Sequence, residues 1–226
     1  MVMRIGHRGA MGYEPENTIK SFKKALKLNV DIIELDVHVC KSGELIVIHD
    51  EKVNRTTNRK GLVSEKTLSE LKKLDAGKGE KIPTLSEVLD IIDRKAKINI
   101  ELKGPKTAKP VHELIKNFTK NKGWNNSDFI VSSFYPKELI KFHKLNPKIK
   151  AGFLIQRKPN LYMKLIKKAG ASSMNVSMKF VNKELIKDAH NIGLKVYVWT
   201  VNNPKDIERM KKLGVDGIFS NFPDRL

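Results

Sequence analysis

Short runs of aliphatic and β-branched residues alternate with stretches of helical periodicity along almost the whole chain. This alternation restricts the fold more than any other feature. The runs fall at 4–6, 31–37, 45–49, 97–102, 129–132, 151–155, 173–176, 195–199 and 217–220. Most are apolar on both faces, as parallel strands are when helices cover them from both sides. Between them, Val111, Leu114, Ile115 and Phe118 fall on one helical stripe, with His112 off it and facing solvent. Thr84-Leu-Ser-Glu87 is a capping box opening a helix over Val88, Leu89 and Ile92. Asn203-Pro204 and Gly214 mark the start and stop of the last long helix.

Repeated strand–helix units build either an open doubly wound sheet or a closed barrel. The chain has neither a dinucleotide-binding glycine signature nor a P-loop. The expected fold is therefore α/β, a TIM-type (β/α)8 barrel over residues 1–226 as one domain. Nine runs compete for eight places, so one is peripheral. The link from Val37 to Leu45 is too short for a crossover helix and predicts a hairpin or an extended return. The polar segment 51–80, with a short helix near 67–74, reads as a small insertion after the third strand, lying over the active-site face. A lone cysteine, Cys40, excludes an internal disulfide and reads as a small buried hydrophobe.

The formal net charge is +19. The lysines are spread along helices (Lys23, Lys24 and Lys27; Lys164, Lys167 and Lys168) and are not interleaved with aromatic residues. That distribution reads first as a solvated surface and second as a field that attracts an anionic small substrate, and no nucleic-acid partner is expected. No apolar run approaches the roughly 18 residues of a membrane helix, and the first residues run directly into a strand. A cytoplasmic location is expected, with peripheral contact to an anionic membrane left open.

The chemistry concentrates at strand ends. Glu34 and Asp36 share one face of an otherwise apolar strand, and Asn99, Glu101 and Lys103 share one face of another. Buried neighbouring carboxylates are costly unless a cation joins them. Three converging carboxylates, Glu34, Asp36 and Glu101, suit a hard divalent metal, Mg²⁺ or Ca²⁺. His7 and His49 each follow a strand directly, where barrel enzymes keep their catalytic groups, and suit general acid–base work near neutral pH. Arg8 and Lys103 can neutralise phosphoryl oxygens. His38, His143 and His190 read as surface or packing residues.

These features resemble the glycerophosphodiester phosphodiesterase family, in its short bacterial and archaeal form. The matching segments include His7-Arg8-Gly9, Pro15-Glu-Asn17-Thr18, Glu34-Leu-Asp36-Val37, His49-Asp50, Asn54-Arg55-Thr56, Asn99-Ile-Glu101-Leu-Lys103, Ser133-Phe134 and Trp199-Thr200-Val201-Asn202. They run in family order over nearly the whole chain. The resemblance implies a TIM barrel and a small-molecule glycerophosphodiester substrate. It implies a divalent metal on Glu34, Asp36 and Glu101, His7 and His49 as the acid–base pair, and Arg8 and Lys103 on phosphate. Phe134 and Trp199 would line the substrate mouth. Two other readings are a lysophospholipase D acting on lysolipids and a non-catalytic barrel that binds phosphate-bearing ligands or nucleic acid.

Overall fold

The computed structural model describes residues 1–156 and 162–226. Among these residues, nine strands form one sheet in the order β1-β9-β8-β7-β6-β5-β4-β2-β3, and an additional β1–β2 pairing closes eight of them into a ring. The eight staves are β1 (Met3–Gly6), β2 (Ile32–Val39), β4 (Lys97–Leu102), β5 (Phe129–Ser133), β6 (Lys150–Ile155), β7 (Ala171–Ser177), β8 (Lys195–Trp199) and β9 (Gly217–Ser220). All neighbouring staves pair in parallel, as right-handed strand–helix units require. This is the closed α/β barrel expected from the alternation.

The peripheral strand is β3 (Leu45–Val47). It pairs antiparallel with the far end of β2, Val37 with Val47 and Val39 with Leu45. β2 therefore serves two structures. Ile32–Val37 pair with β4 as a stave, and the last residues, Val37–Val39, carry the hairpin at the rim. The short Val37–Leu45 link is explained by that hairpin.

The helices match their sequence signals. Thr18 caps α1 (Ile19–Lys27) by accepting from the Ser21 N–H. Capping boxes open α2 (Leu68–Lys72) at Thr67 and α3 (Leu85–Ile92) at Thr84. α4 (Ala108–Asn121) buries Val111, Ile115 and Phe118. The chain continues through α5 (Pro136–Leu145), α6 (Met163–Lys168) and α7 (Lys183–Asn191). α8 (Pro204–Leu213) starts on Asn203 and stops at Gly214, which adopts a left-handed conformation with φ 87°.

The principal core lies between the staves and their helices. On β2, Ile33, Leu35 and Val37 face it, and β4 adds Ile98, Ile100 and Leu102. Each such side chain contributes about 1.5–3 kcal/mol by leaving water. The lower barrel interior is plugged by Ile5, Ile32, Ile130 and Phe219. A separate small core, including Ile46, Ile48, Val53, Val63, Leu71 and Ile82, holds the segment that follows β3. Cys40 is buried in it, as expected. His112 departs from expectation: it is half-buried and its Nδ1 lacks a partner. It sits one position beyond Val111, where the buried stripe is wide enough to cover it in part. His143 is half-buried beside Gly170, and His190 is exposed and paired with Asp216 at 2.7 Å. No described helix is long and apolar enough to cross a membrane.

Candidate active site

The β2–β4 register sets the acidic cluster. Glu34 lies opposite Asn99 and Asp36 opposite Glu101, all on the barrel interior. One ligand atom from each of Glu34, Asp36 and Glu101 falls within 4.8 Å of the others, and all three residues are buried. Asp36 Oδ1 is buried without a hydrogen-bond partner. An orphaned carboxylate oxygen inside a ring of three carboxylates fits a hard divalent cation.

Three buried carboxylates cannot all ionise unaided. Burial, then the neighbouring charges of Asp36 and Glu101, push Glu34 well above the usual carboxylate range. Burial and Asp36 raise Glu101 to about 7. For Asp36 burial acts the same way, but Lys103 and Arg8 outweigh it and hold the group below its ordinary value.

The turn after β1 brings Arg8 to this cluster. Arg8 (φ 51°) and Gly9 (φ 82°) both adopt left-handed backbone. A Cβ on Gly9 would lie 2.5 Å from Ser21 Oγ and 2.7 Å from the Ser21 carbonyl carbon, so only glycine fits beneath α1. Ser21 Oγ donates to the Arg8 carbonyl at 2.9 Å and accepts from the Ala10 N–H at 2.9 Å. The turn aims the Arg8 N–H at Glu34 Oε2 (2.8 Å) and its guanidinium at Asp36 Oδ2 (Nε, 3.4 Å) and Glu16 Oε1 (NH1, 2.8 Å).

The two histidines arrive by different routes. His7 leaves the end of β1, and its Nδ1 lies 2.7 Å from Asn221 Oδ1 in the segment after β9. Nδ1–H then donates, leaving the Nε2 lone pair free. Burial, then the adjacent Arg8 charge, lower the His7 pKa to about 4, so the ring is neutral at pH 7. His49 follows the peripheral β3 and not a stave. It reaches the rim because the hairpin folds back along β2, with the Ile48 N–H donating to the Asp36 carbonyl at 3.0 Å. His38 is a packing residue, as expected, and its Nε2 lies 3.1 Å from the His49 carbonyl. His49 Nδ1 donates to Asp50 Oδ1 at 2.6 Å, and its Nε2 receives a hydrogen bond from Lys103 Nζ at 3.1 Å. Lys103 also pairs with Glu101 at 2.8 Å.

His7, Arg8, Glu34, His49, Glu101 and Lys103 line a cavity of ≈ 240 Å³ at the barrel mouth, walled by Phe134 and Trp199, with Asp36 buried against Glu34 and Glu101. The two rings meet edge to face, with centroids 5.5 Å apart. A wider cavity of ≈ 460 Å³ shares His49 and Lys103 and opens over Asp50, Arg55 and Tyr135. A larger cleft of ≈ 660 Å³ beside α7, lined by Met163, Phe180 and Leu185, holds none of these residues. All nine residues singled out from the sequence, His7, Arg8, Glu34, Asp36, His49, Glu101, Lys103, Phe134 and Trp199, therefore meet at one mouth. Four others were not singled out. Asn17 donates to Asp36, Glu16 pairs with Arg8 and Arg55, Asp50 holds His49, and Asn221 holds His7. All but Asn221 lie within segments that carried the family resemblance, and that was their only signal.

A closed parallel barrel with buried carboxylates, paired histidines and two cations at the C-terminal ends of its strands defines a barrel enzyme equipped for an anionic substrate. A profile of the glycerophosphoryl diester phosphodiesterase family matches residues 7–225. A glycerophosphodiester phosphodiesterase of Bacillus altitudinis is 40% identical over 242 residues, covering 100% of this chain and 96% of that one. Its counterpart in Caldanaerobacter subterraneus subsp. tengcongensis is 40% identical over 231 residues, covering 98% and 95%. A phosphodiesterase of Oleispira antarctica, solved with the product sn-glycerol-3-phosphate, superimposes with a TM-score of 0.91 at 28% identity, covering 98% of this chain and 93% of that one. The chain belongs to the glycerophosphoryl diester phosphodiesterase family.

Proposed function

We propose that this chain hydrolyses a glycerophosphodiester to glycerol phosphate and an alcohol, with Mg²⁺ or Ca²⁺ held by Glu34, Asp36 and Glu101. The observation that carries this reading is the meeting of three buried carboxylates within 4.8 Å, two of which, Glu34 and Glu101, line a cavity together with both histidines and both cations. A bound divalent cation would neutralise the carboxylates and polarise the phosphoryl oxygens. Arg8 and Lys103 hold the phosphoryl group and offset charge that develops on it. Family membership and the product bound to the Oleispira relative support this substrate class.

His7 is the general base in this scheme. Its ring is neutral at working pH, and Asn221 fixes the tautomer that leaves Nε2 to take a proton from the attacking oxygen. That oxygen comes from water or from the substrate's own glycerol hydroxyl. His49, anchored on Asp50 through Nδ1, is then the proton donor to the departing alkoxide in its doubly protonated form, with Lys103 turned from Nε2 to the phosphoryl group. Phe134 and Trp199 form the apolar wall against the carbon skeleton.

The test is release of glycerol phosphate from glycerophosphocholine and glycerophosphoethanolamine with Mg²⁺ or Ca²⁺, and again after EDTA. Chelator-sensitive release is expected. Full turnover after exhaustive chelation overturns the metal assignment, and turnover of micellar lysolipid alone replaces the substrate class.

A further inference from the structure

Arg55 lies in the segment after β3 and reaches neither the carboxylate cluster nor a histidine. Its guanidinium instead bridges two carboxylates. Nε donates to Asp50 Oδ2 at 2.8 Å and NH2 to Asp50 Oδ1 at 3.0 Å. NH1 donates to Glu16 Oε2 at 2.7 Å and NH2 to Glu16 Oε1 at 2.8 Å. Both pairs are two-pronged, the geometry for which the planar arginine fork is suited. Each carboxylate then acts on a different site residue. Glu16 Oε1 also takes Arg8 NH1 at 2.8 Å, and Asp50 Oδ1 takes His49 Nδ1 at 2.6 Å.

Arg8 belongs to the turn after the first stave, and His49 to the hairpin outside the ring. No direct bond between them is present among the described residues. The path Arg8–Glu16–Arg55–Asp50–His49 is continuous, and every step is 3.0 Å or shorter. Removing Arg55 leaves Glu16 with one guanidinium and frees the Asp50 carboxylate to rotate away from the imidazole. We propose that Arg55 is a positioning residue, which fixes the phosphate-binding Arg8 and the proton-transferring His49 in one frame through Glu16 and Asp50. The proposal rests on the roles given above to Arg8 and His49.

The experiment compares the full chain with Arg55→Ala and Arg55→Lys, using Arg59→Ala, an exposed change of equal charge in the same segment, as control. Turnover with glycerophosphocholine is expected to fall by about 10–100-fold in Arg55→Ala, more in kcat than in KM, the range seen when a group orienting a functional side chain from behind is lost. Arg55→Lys keeps the charge without the fork and recovers only a small part. Arg59→Ala stays at the parent value. Mg²⁺ binding by calorimetry is unchanged in all of them. In an Asp50→Asn, Glu16→Gln background, Arg55→Ala costs less than about threefold, because its route is already cut. The imidazole N–H resonance of His49, assigned with His49→Gln, is lost or broadened in Arg55→Ala.

Unchanged kcat in Arg55→Ala, an unchanged His49 resonance, or full multiplication of the effects in the triple variant each overturns the proposal. A lowered Tm with normal kcat reassigns Arg55 as an anchor of its segment. If His49→Gln keeps full turnover, the proton-transfer role of His49 is wrong, and the resonance in Arg55→Ala still decides whether Arg55 positions that ring.

Discussion

Asn17 grips Asp36 with both ends of its amide: Nδ2 donates to Asp36 Oδ2 at 2.9 Å, and Oδ1 receives the Asp36 backbone N–H at 3.4 Å. One carboxylate oxygen is thereby committed, and the other is the orphan inside the acidic cluster. Asn17 pays for this with a left-handed backbone, φ 58°. Asn17→Ala is expected to weaken Mg²⁺ or Ca²⁺ binding by about 10–100-fold while the fold persists. Calorimetric titration checks this, and parent affinity in the variant would show that Asp36 needs no such support.

The acidic cluster opposes folding when no cation is bound, because burial and mutual repulsion raise Glu34 and Glu101. Glu101→Gln is expected to abolish turnover and yet raise Tm in EDTA. A thermal melt of both proteins with and without metal reads both effects. A Tm below the parent in EDTA would mean that the Glu101–Lys103 pair outweighs the repulsion.

The histidines give a rate prediction. His7→Ala and His49→Ala should each lower kcat by about 10²–10⁴-fold, the range for a positioned acid or base. Steady-state assays on glycerophosphocholine test each separately. A loss under tenfold removes that residue from the acid–base pair.

His7 also fixes a pH dependence of stability. Its folded pKa, about 4, lies below its ordinary 6.5. As pH falls below 6.5, the unfolded chain takes up the proton first, so stability drops until the folded ring protonates near pH 4. The loss is at most about 3 kcal/mol, at 1.36 kcal/mol per pKa unit. Between pH 7 and pH 4 the parent should lose stability more steeply than His7→Asn in denaturant titrations. Parallel curves would contradict burial of a neutral ring.

Gly9→Ala should destabilise by about 1–3 kcal/mol, since the new methyl meets Ser21 backbone in a left-handed turn. The urea midpoint measures it, and an unshifted midpoint would mean that the turn relaxes freely.

The acidic cluster was legible because charges on strands apolar on both sides contradict their surroundings. Glu34, Asp36 and Glu101 stand out against Ile33, Leu35 and Ile100. His7 and His49 stood out by position. Glu16, Asp50, Arg55 and Asn221 could not, because polar residues are the default in loops, and their importance arises only where distant loops meet. Arg55 and Glu16 are 39 residues apart and bond only in the fold. The peripheral strand was legible in part: the short Val37–Leu45 link allowed a hairpin but did not single out the strand that leaves the ring. Leu45-Ile-Val47 has the composition of a stave, and only its antiparallel pairing to the far end of β2 excludes it from the ring.

His7 and Asn221 are bonded across 214 residues, and β1 finds its second neighbour only in β9. A nascent chain therefore leaves the ribosome with His7 untethered and its barrel open until residues 217–221 have been made. The same joint lets the enzyme be divided: a fragment ending before β9 is expected to be silent, and a separately supplied C-terminal piece that docks between β8 and β1 would restore it.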